Sequence, residues 1–183
     1  MTSFYFCTGG CRSGKSAYGQ RLAESQGRRR VYVATAMAGD DPEMKDRIRR
    51  HREIRGDGWR HVEPEDILWA DPAAFLRAKT EKDDVLLFDC LTLWISGCLM
   101  RDMPDETCLA RLDGLLEELA GRKSGCVLVS NELGMGLVPE SALGRRFRDL
   151  AGRANQLAAR RAEGTILLVS GLPLALKGEL PPV

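Results

Sequence analysis

Aromatic residues and histidines are scarce in this chain of 183 residues. Phe, Trp and Tyr make up 6% of the sequence, and the only histidines are His51 and His61. The 27 basic and 26 acidic residues leave a formal net charge of +1. Proteins that bind single-stranded nucleic acids need stacking aromatic residues along a basic groove. General nucleic-acid or membrane-surface binders need excess positive charge. The composition argues against all of these classes, including a RecA-like motor that tracks a strand.

The sequence also lacks an export signal, a metal-binding pair of cysteines and an apolar run long enough to span a membrane. The six cysteines form no C-x-x-C pair, and Met1 to Cys7 lacks the basic start and long apolar stretch of a secretory signal. We therefore expect a cytoplasmic protein with reduced, mostly buried thiols. The most apolar run, Val85 to Met100, is shorter than a membrane span and contains Asp89. It predicts a buried strand that leads into a helix.

The stretch TGGCRSGKS contains a complete phosphate-binding pattern. Gly9 is followed by four residues and then by Gly14, Lys15 and Ser16, which matches G-x-x-x-x-G-K-[ST]. An apolar strand is predicted before this pattern and a helix from about Lys15 onward, and the helix N-terminus favours an anion. Lys15 would reach the β- and γ-phosphates of a nucleotide, and Ser16 would hold Mg²⁺. The stretch therefore predicts a nucleoside triphosphate site.

Short apolar runs alternate with segments of helical period along the whole chain. This alternation predicts an α/β fold with a mainly parallel sheet covered by helices on both faces, in one domain spanning residues 1–183. The end of the chain, GELPPV, is expected to be a frayed tail. The predicted strands are Phe4–Cys7, Val31–Thr35, Val85–Asp89, Cys126–Ser130 and Ile166–Ser170.

Asp89 ends one of these predicted strands, after four apolar residues. An acidic residue in this position can hold the Mg²⁺ of a bound nucleotide through water, or orient the attacking group. It can equally cap the helix that follows, because Asp favours such positions. The two roles are compatible.

The stretch DDPEMKDRIRRHREIR predicts a helix with Asp41 as N-cap and Pro42 at its first position. Met44, Ile48, His51 and Arg55 are spaced to share one face of it. The many arginines around His51 favour a neutral, nucleophilic imidazole and could grip a triphosphate. A solvated basic helix face with an incidental histidine is the alternative. His61, in GWRHVEPE, is interpreted as a structural residue of a short edge strand.

Two further stretches follow the fourth predicted strand. SNELGMGLVPE contains two glycines after a strand and predicts a functional loop. FRDLAGRANQLAAR has helical period and offers possible ligand contacts, although a purely structural helix is an equal alternative. These possible contacts are Arg148, Asp149, Arg153 and Asn155.

Five motifs in order over nearly the whole chain resemble the bifunctional adenosylcobinamide kinase/adenosylcobinamide-phosphate guanylyltransferase family of cobalamin biosynthesis. The phosphate loop alone is common to many families, whereas the histidine-bearing helix and the loop NELGMGLVPE are far more specific. The motifs are TGGCRSGKS, VATA, DPEMKDRIRRHREIR, SNELGMGLVPE with FRDLAGRANQ, and LVSG.

The resemblance implies a P-loop NTPase fold with a RecA-like core, often assembled as a homotrimer. It also implies two reactions. In the first, the γ-phosphate of ATP or GTP is transferred to the hydroxyl of the aminopropanol arm of adenosylcobinamide. In the second, a histidine attacks the α-phosphate of GTP, pyrophosphate leaves, and the guanylyl group passes to the new phosphate to give adenosylcobinamide-GDP.

The resemblance also implies roles for individual residues. His51, Lys15 and Asp89 would be catalytic, and Ser16 and Asp89 would hold Mg²⁺. Nucleotide contacts would come from Gly9, Gly10, Cys11, Arg12, Ser13, Gly14, Lys15, Ser16, Ala34, Thr35, Ala36 and Asp89. Guanine and ribose contacts would come from Arg52, Glu53, Ile54, Arg55 and Glu63.

The sequence departs from the family pattern at two positions. Cys11 stands where a smaller residue such as alanine is common, so the loop could be oxidised. Arg50 precedes His51 where some relatives have a second histidine, which leaves a single candidate nucleophile. The principal alternative is a P-loop kinase of another small molecule without the guanylyl step, which would not need His51. A switch GTPase would usually carry an N-K-x-D motif, and the sequence has none.

Overall fold

A computed structural model of the protein describes residues 3–37 and 41–183, except for the side chains of Met44, Arg47, His51 and Ile54. Its strands are β1 Phe4–Gly9, β2 Arg30–Ala34, β3 Trp59–Val62, β4 Val85–Asp89, β5 Cys126–Val129, β6 Gly164–Val169 and β7 Leu172–Lys177. Its helices are α1 Lys15–Gln26, α2 Pro42–Arg55, α3 Ile67–Ala70, α4 Pro72–Lys79, α5 Leu91–Leu99, α6 Asp105–Ala120 and α7 Ala142–Arg161.

The strands form a seven-stranded sheet in the order β3-β2-β4-β5-β1-β6-β7. Every neighbouring pair is parallel except β6 and β7, which form an antiparallel hairpin. All five predicted strands are confirmed to within two residues, and His61 lies in the edge strand β3 as predicted. The strand β7 was not predicted. Its Pro173 is unfavourable inside a sheet but is tolerated here because β7 lies at an edge.

Helices cover both faces of the sheet, and the alternation of side chains along each strand divides the core accordingly. Phe4 and Phe6 of β1 pack with residues of α3 to α7 on one face. Cys7 packs with Tyr18 and Leu22 of α1 on the other face. This arrangement confirms the predicted α/β class, because buried parallel strands need apolar residues on both sides.

The start of α2 also agrees with its prediction. The Asp41 side chain accepts a hydrogen bond from Glu43 N at 2.9 Å, and Pro42 occupies the first turn. Arg52 and Arg55 lie in the last turn, where positive charge is favourable. Within residues 3–37 and 41–183, no helix is both long and apolar enough to cross a bilayer.

Candidate active site

The phosphate loop joins β1 to α1 at the carboxyl edge of the sheet. Gly14 has φ 92° and Arg12 has φ 56°, so both adopt the left-handed conformation that turns a tight loop. Lys15 is buried, and its Nζ donates a hydrogen bond to Gly10 O at 2.9 Å. The Ser13 hydroxyl is also buried and has no hydrogen-bond partner among the described residues. The loop thus carries a buried cation and an unsatisfied hydroxyl, as expected of a site for an anion.

Neighbouring segments hold the phosphate loop from two sides. Gly171 N, in the turn between β6 and β7, donates to Ser13 O at 2.9 Å. Glu132 N, just after β5, donates to Gly9 O at 2.9 Å. Both contacts use backbone groups, so they fix the course of the loop without depending on side-chain identity.

Gly9→Ala is expected to destabilise the protein by about 1–3 kcal/mol, because the added methyl group has no space. A Cβ at Gly9 would lie 2.5 Å from Leu168 O and 2.6 Å from Ser13 Oγ, at a φ of 155°. Gly10→Ala is the matched control, since a Cβ there meets nothing within 4 Å. Urea unfolding without nucleotide measures the free energy of unfolding of wild type and of both variants. Equal stabilities of the two variants would contradict the prediction.

A pocket that we call the main pocket, because it lies at the phosphate loop, opens at the carboxyl edge of the sheet. Its lining residues include members of α1, of the strands β2, β3 and β4, of α2 and of the segment after β5. It therefore brings together segments that are far apart in the sequence. The lining residues are Lys15, Ser16, Tyr32, Ala34, Ala36, Ile48, Arg52, Arg55, His61, Glu63, Asp89, Cys90, Leu93 and Asn131.

Asp89 lies at the end of β4 and faces this pocket together with Ser16. A hydroxyl and a carboxylate are hard oxygen donors, and Mg²⁺ is commonly held by only one or two such protein groups plus nucleotide phosphates. The part of the chain that the structure describes contains no group of three or more His, Cys, Asp or Glu that could hold a metal ion by itself. The donor set fits a nucleotide-bound Mg²⁺ rather than an all-protein metal site.

The ends of β2 and β4 are tied together below Asp89. Tyr32 Oη donates to Asp89 O at 3.3 Å, and Thr35 Oγ1 both donates to Cys90 O at 2.9 Å and accepts from Cys90 N at 2.8 Å. Thr35 is therefore buried and supports the site, whereas its neighbours Ala34 and Ala36 line the pocket.

Two arginines of α2 face the pocket with different partners. The Arg55 guanidinium lies over the Tyr32 ring, 3.4 Å from its centroid, in a cation–π contact. Its Nε is buried with no hydrogen-bond partner among the described residues. Arg52 forms an ion pair with Glu63 at 2.7 Å. The predicted residues Arg52, Arg55 and Glu63 are thus brought together at one side of the pocket.

His61 lines the same pocket, although the sequence pattern indicated only a structural role. Its ring centroid lies 5.6 Å from that of Tyr32. Burial lowers the pKa of His61, and the positive charges of Arg55 and Arg52 lower it further, while Glu63 acts in the opposite direction. The imidazole is therefore favoured in its neutral form. The sequence did contain one signal for this role of His61. It lies two residues before Glu63, and alternate residues of an extended segment share a face.

Some predicted contacts lie elsewhere or outside the described set. Glu53 does not line the main pocket; it pairs with Arg49 at 3.4 Å and faces a neighbouring depression that also includes Arg52. The side chains of His51 and Ile54 are outside the described residues, so their predicted roles rest on their positions in α2.

The segment after β5 is held by Asn155, one of the candidate residues of α7. Ser130 Oγ donates to Asn155 Oδ1 at 2.7 Å, and Asn155 Nδ2 donates to Asn131 O at 3.0 Å. Asn155 thus positions Asn131, which lines the pocket. The other candidates form ion pairs: Arg153 with Glu106 at 2.7 Å, and Arg148 with Asp149 at 3.0 Å.

Cys11 is expected to be the first thiol modified in the folded protein, and nucleotide should protect it. Cys11 is exposed in the phosphate loop, whereas the other five cysteines are buried. A disulfide-exchange reagent should therefore release about one equivalent of chromophore quickly and the rest only after unfolding. Cys11→Ala should remove the fast phase. Several fast-reacting thiols, or a rate unaffected by MgATP and MgGTP, would contradict this expectation.

The sequence is similar to that of known proteins over most of its length. A family model described as cobinamide kinase / cobinamide phosphate guanyltransferase matches residues 5–176. The bifunctional adenosylcobalamin biosynthesis protein CobP of Pseudomonas aeruginosa is 46% identical over 175 residues, covering 93% of this chain and 95% of the relative. CobU of Escherichia coli, with the same description, is 37% identical over 183 residues, covering 93% of this chain and 97% of the relative.

The fold resembles that of a solved recombinase. The crystal structure of the RadB recombinase superposes with a TM-score of 0.52 and 13% identity, covering 90% of this chain and 73% of that chain. At this identity the likeness concerns the fold alone, and it confirms the predicted RecA-like P-loop architecture. The family match extends over nearly the whole chain and includes every segment that lines the main pocket. The chain therefore belongs to the cobinamide kinase / cobinamide phosphate guanyltransferase family, whose members combine a kinase and a guanylyltransferase.

Proposed function

We propose that this enzyme phosphorylates the aminopropanol hydroxyl of adenosylcobinamide with ATP or GTP, and then transfers GMP from GTP to the new phosphate. The observation that carries the proposal is the composition of the main pocket. Lys15 and Asp89 supply the groups that a kinase needs, and Ile48, Arg52 and Arg55 of the histidine-bearing helix line the same pocket. A P-loop kinase of another small molecule would not need His51, which this helix carries.

In the kinase step, positioning and charge supply most of the catalysis. The N-terminus of α1 and Lys15 hold the β- and γ-phosphates. Asp89 faces the same space and orients the attacking hydroxyl. The acceptor oxygen forms a bond to the γ-phosphorus, the bond to the β-γ bridging oxygen breaks, and the hydroxyl proton is released. The products are the phosphorylated acceptor and a nucleoside diphosphate.

In the guanylyl step, His51 is the nucleophile. Position 51 follows Ile48 by three residues and precedes Arg55 by four, and both of those residues line the pocket. This spacing is typical of residues that share one helix face and supports the proposal. A neutral imidazole nitrogen attacks the α-phosphorus of GTP, and pyrophosphate leaves. A phosphate oxygen of the acceptor then attacks the same phosphorus, which releases His51 and yields adenosylcobinamide-GDP. Arg52 and Arg55 offset the charge of the phosphates.

Mg²⁺ is proposed to be held by Ser16 and Asp89 together with the nucleotide phosphates, where it would neutralise developing negative charge. Asp89→Asn removes a charged oxygen donor from this set. We expect this substitution to raise the Mg²⁺ concentration needed for half-maximal kinase activity by about tenfold or more. A Mg²⁺ titration at saturating nucleotide measures this, and an unchanged midpoint would remove Asp89 from the proposed Mg²⁺ site. Helix capping, the alternative role, is not observed for Asp89, because the N-cap residue of α5 is Cys90.

The guanylyl step is tested by trapping its intermediate. The protein is incubated with Mg²⁺ and GTP labelled at the α-phosphate, denatured and digested, and the label is located by mass spectrometry. We expect an acid-labile, alkali-stable guanylyl group on the peptide that contains His51, with release of one pyrophosphate per label. Phosphorylation of adenosylcobinamide without any labelled protein would leave a kinase only and overturn the covalent step.

The assembly and location of the enzyme are proposed from the family resemblance. We propose that the chain folds as one domain over residues 1–183 and acts in the cytoplasm as a homotrimer. Light scattering coupled to size-exclusion chromatography tests the assembly. A mass of one or two chains at micromolar concentration would contradict the trimer.

A further inference from the structure

Exposed apolar side chains are concentrated in the loop between β5 and α7 and at the start of α7. We call them the apolar loop patch and define it as Met135, Leu137, Val138 and Leu143. Their exposed fractions are 84%, 96%, 64% and 55%. Contiguous exposed apolar surface is uncommon on soluble proteins and often marks a binding site. The predicted loop SNELGMGLVPE contains three of these residues, and neither proposed reaction step has used it.

The loop is held at both of its ends. Near its start, Gly134 N donates to Glu132 Oε1 at 2.8 Å, and Glu132 N is the group bonded to the phosphate loop. Near its end, Arg145 donates to Pro139 O at 3.1 Å and to Glu140 O at 2.6 Å. The apolar side chains between these anchors are therefore presented from a defined backbone, which lowers the entropy cost of binding a ligand.

The loop leaves the sheet beside the main pocket. Its strand, β5, lies between β4, which ends at Asp89, and β1, which leads into the phosphate loop. Its first residues include Asn131, which lines the pocket. A second exposed apolar group, Leu172, Leu174 and Leu176, lies on the edge strand β7, at the sheet margin beyond β6. Of these two surfaces, the apolar loop patch is the one whose own segment lines the pocket.

We propose that the apolar loop patch binds the corrin ring of the acceptor and so directs its aminopropanol arm into the main pocket. This inference rests on the proposed function. A cobinamide is a wide macrocycle with apolar faces and an amide-bearing rim, and only the end of one arm reacts. The ring must therefore be held outside a pocket that contains the nucleotide. An exposed Met side chain suits a flat apolar face, because it is flexible and polarizable. The exposed Leu side chains add apolar contact area.

Binding of the ring at a distance from the reacting hydroxyl would contribute to catalysis. Contacts with non-reacting parts of a substrate can be used to position the reacting group. Loss of the contacts with the ring should weaken binding of the acceptor and leave binding of the nucleotide unaffected. This separation is what the experiment measures.

The test compares the double variant Met135→Ser/Leu137→Ser with the control Met100→Ser. Met100 is 77% exposed, much like Met135, but it lies at the end of α5. Three quantities are measured: the KM for adenosylcobinamide in the kinase reaction, the KM for the nucleotide, and formation of the guanylyl-enzyme from GTP without acceptor. Size-exclusion chromatography is run on each variant.

We expect the double variant to raise the KM for adenosylcobinamide at least tenfold, with the nucleotide KM and guanylyl-enzyme formation within twofold of wild type. The control should resemble wild type in every measurement. An unchanged acceptor KM would overturn the inference while leaving the proposed function intact. A change of assembly state in step with the loss of activity would also overturn it, by assigning the patch to a contact between copies. Wild-type protein inactive on adenosylcobinamide would instead refute the proposed function itself.

Discussion

His51→Ala is expected to abolish formation of the guanylyl-enzyme from GTP and the production of adenosylcobinamide-GDP. The substitution removes the proposed nucleophile, and α2 contains no second histidine that could replace it. The loss should exceed about 10³-fold, because a covalent pathway has no substitute once its nucleophile is gone. Phosphorylation of adenosylcobinamide should continue at a rate within about tenfold of wild type, because the phosphate loop and Asp89 are untouched.

His61→Ala is the matched control for this experiment, since it removes the only other histidine. His61 lines the pocket from β3 and contacts the Tyr32 ring. The control should retain the covalent adduct, although nucleotide binding can weaken. Label retained in His51→Ala and lost in His61→Ala would show that the nucleophile lies on β3. Label lost in both variants, with kinase activity lost as well, would indicate a general loss of nucleotide binding.

Lys15→Met is expected to reduce the kinase rate by on the order of 10³-fold, or about 4 kcal/mol of transition-state stabilisation. Methionine approximates the length and apolar stem of lysine but lacks the ammonium group that would contact the transferring phosphate. Lys15 is buried and donates to Gly10 O at 2.9 Å, so the cation is held in place before nucleotide arrives. Initial rates at saturating acceptor and nucleotide measure the effect.

Two further measurements make this result interpretable. Thermal unfolding should show that Lys15→Met remains folded. Lys45→Met serves as the control, because Lys45 is exposed on α2 and does not line the pocket. A kinase rate within tenfold of wild type in Lys15→Met would remove Lys15 from the proposed mechanism.

The fold was largely predictable because its strands are short, continuous apolar runs separated by amphipathic segments. Val85–Asp89 has the same limits in the prediction and in the structure. The strand β7 was missed because its leucines alternate with Pro173, Ala175 and Lys177 instead of forming a continuous run. Its pairing with β6 also depends on a tight turn. In that turn Ser170 and Gly171 have φ values of 52° and 83°, and only the glycine was a signal for it.

The site was predictable where one local motif carries the chemistry. The phosphate loop and Asp89 fall into this class, and both face the same pocket. Tyr32 and His61 could not be assigned in the same way. Their roles depend on the parallel pairing of β2 with β3, which sets Tyr32 beside His61, and on the guanidinium of Arg55 from a third element. The contact between such residues depends on the order of the strands in the sheet, and short sequence patterns do not determine that order.

The position of β1 in the sheet has a consequence for the order in which the enzyme is made. This first strand pairs only with β5 and β6, which are translated more than a hundred residues later. Its phosphate loop also depends on Gly171, in the turn that follows β6. A nascent chain that has emerged as far as α7 already contains Lys15, His51 and Asp89, yet it lacks one of the two strands that flank β1 and the turn that holds the loop from one side. We therefore expect the ability to bind nucleotide to arise only when β6 and the turn after it have left the ribosome, so that incomplete chains do not compete for GTP.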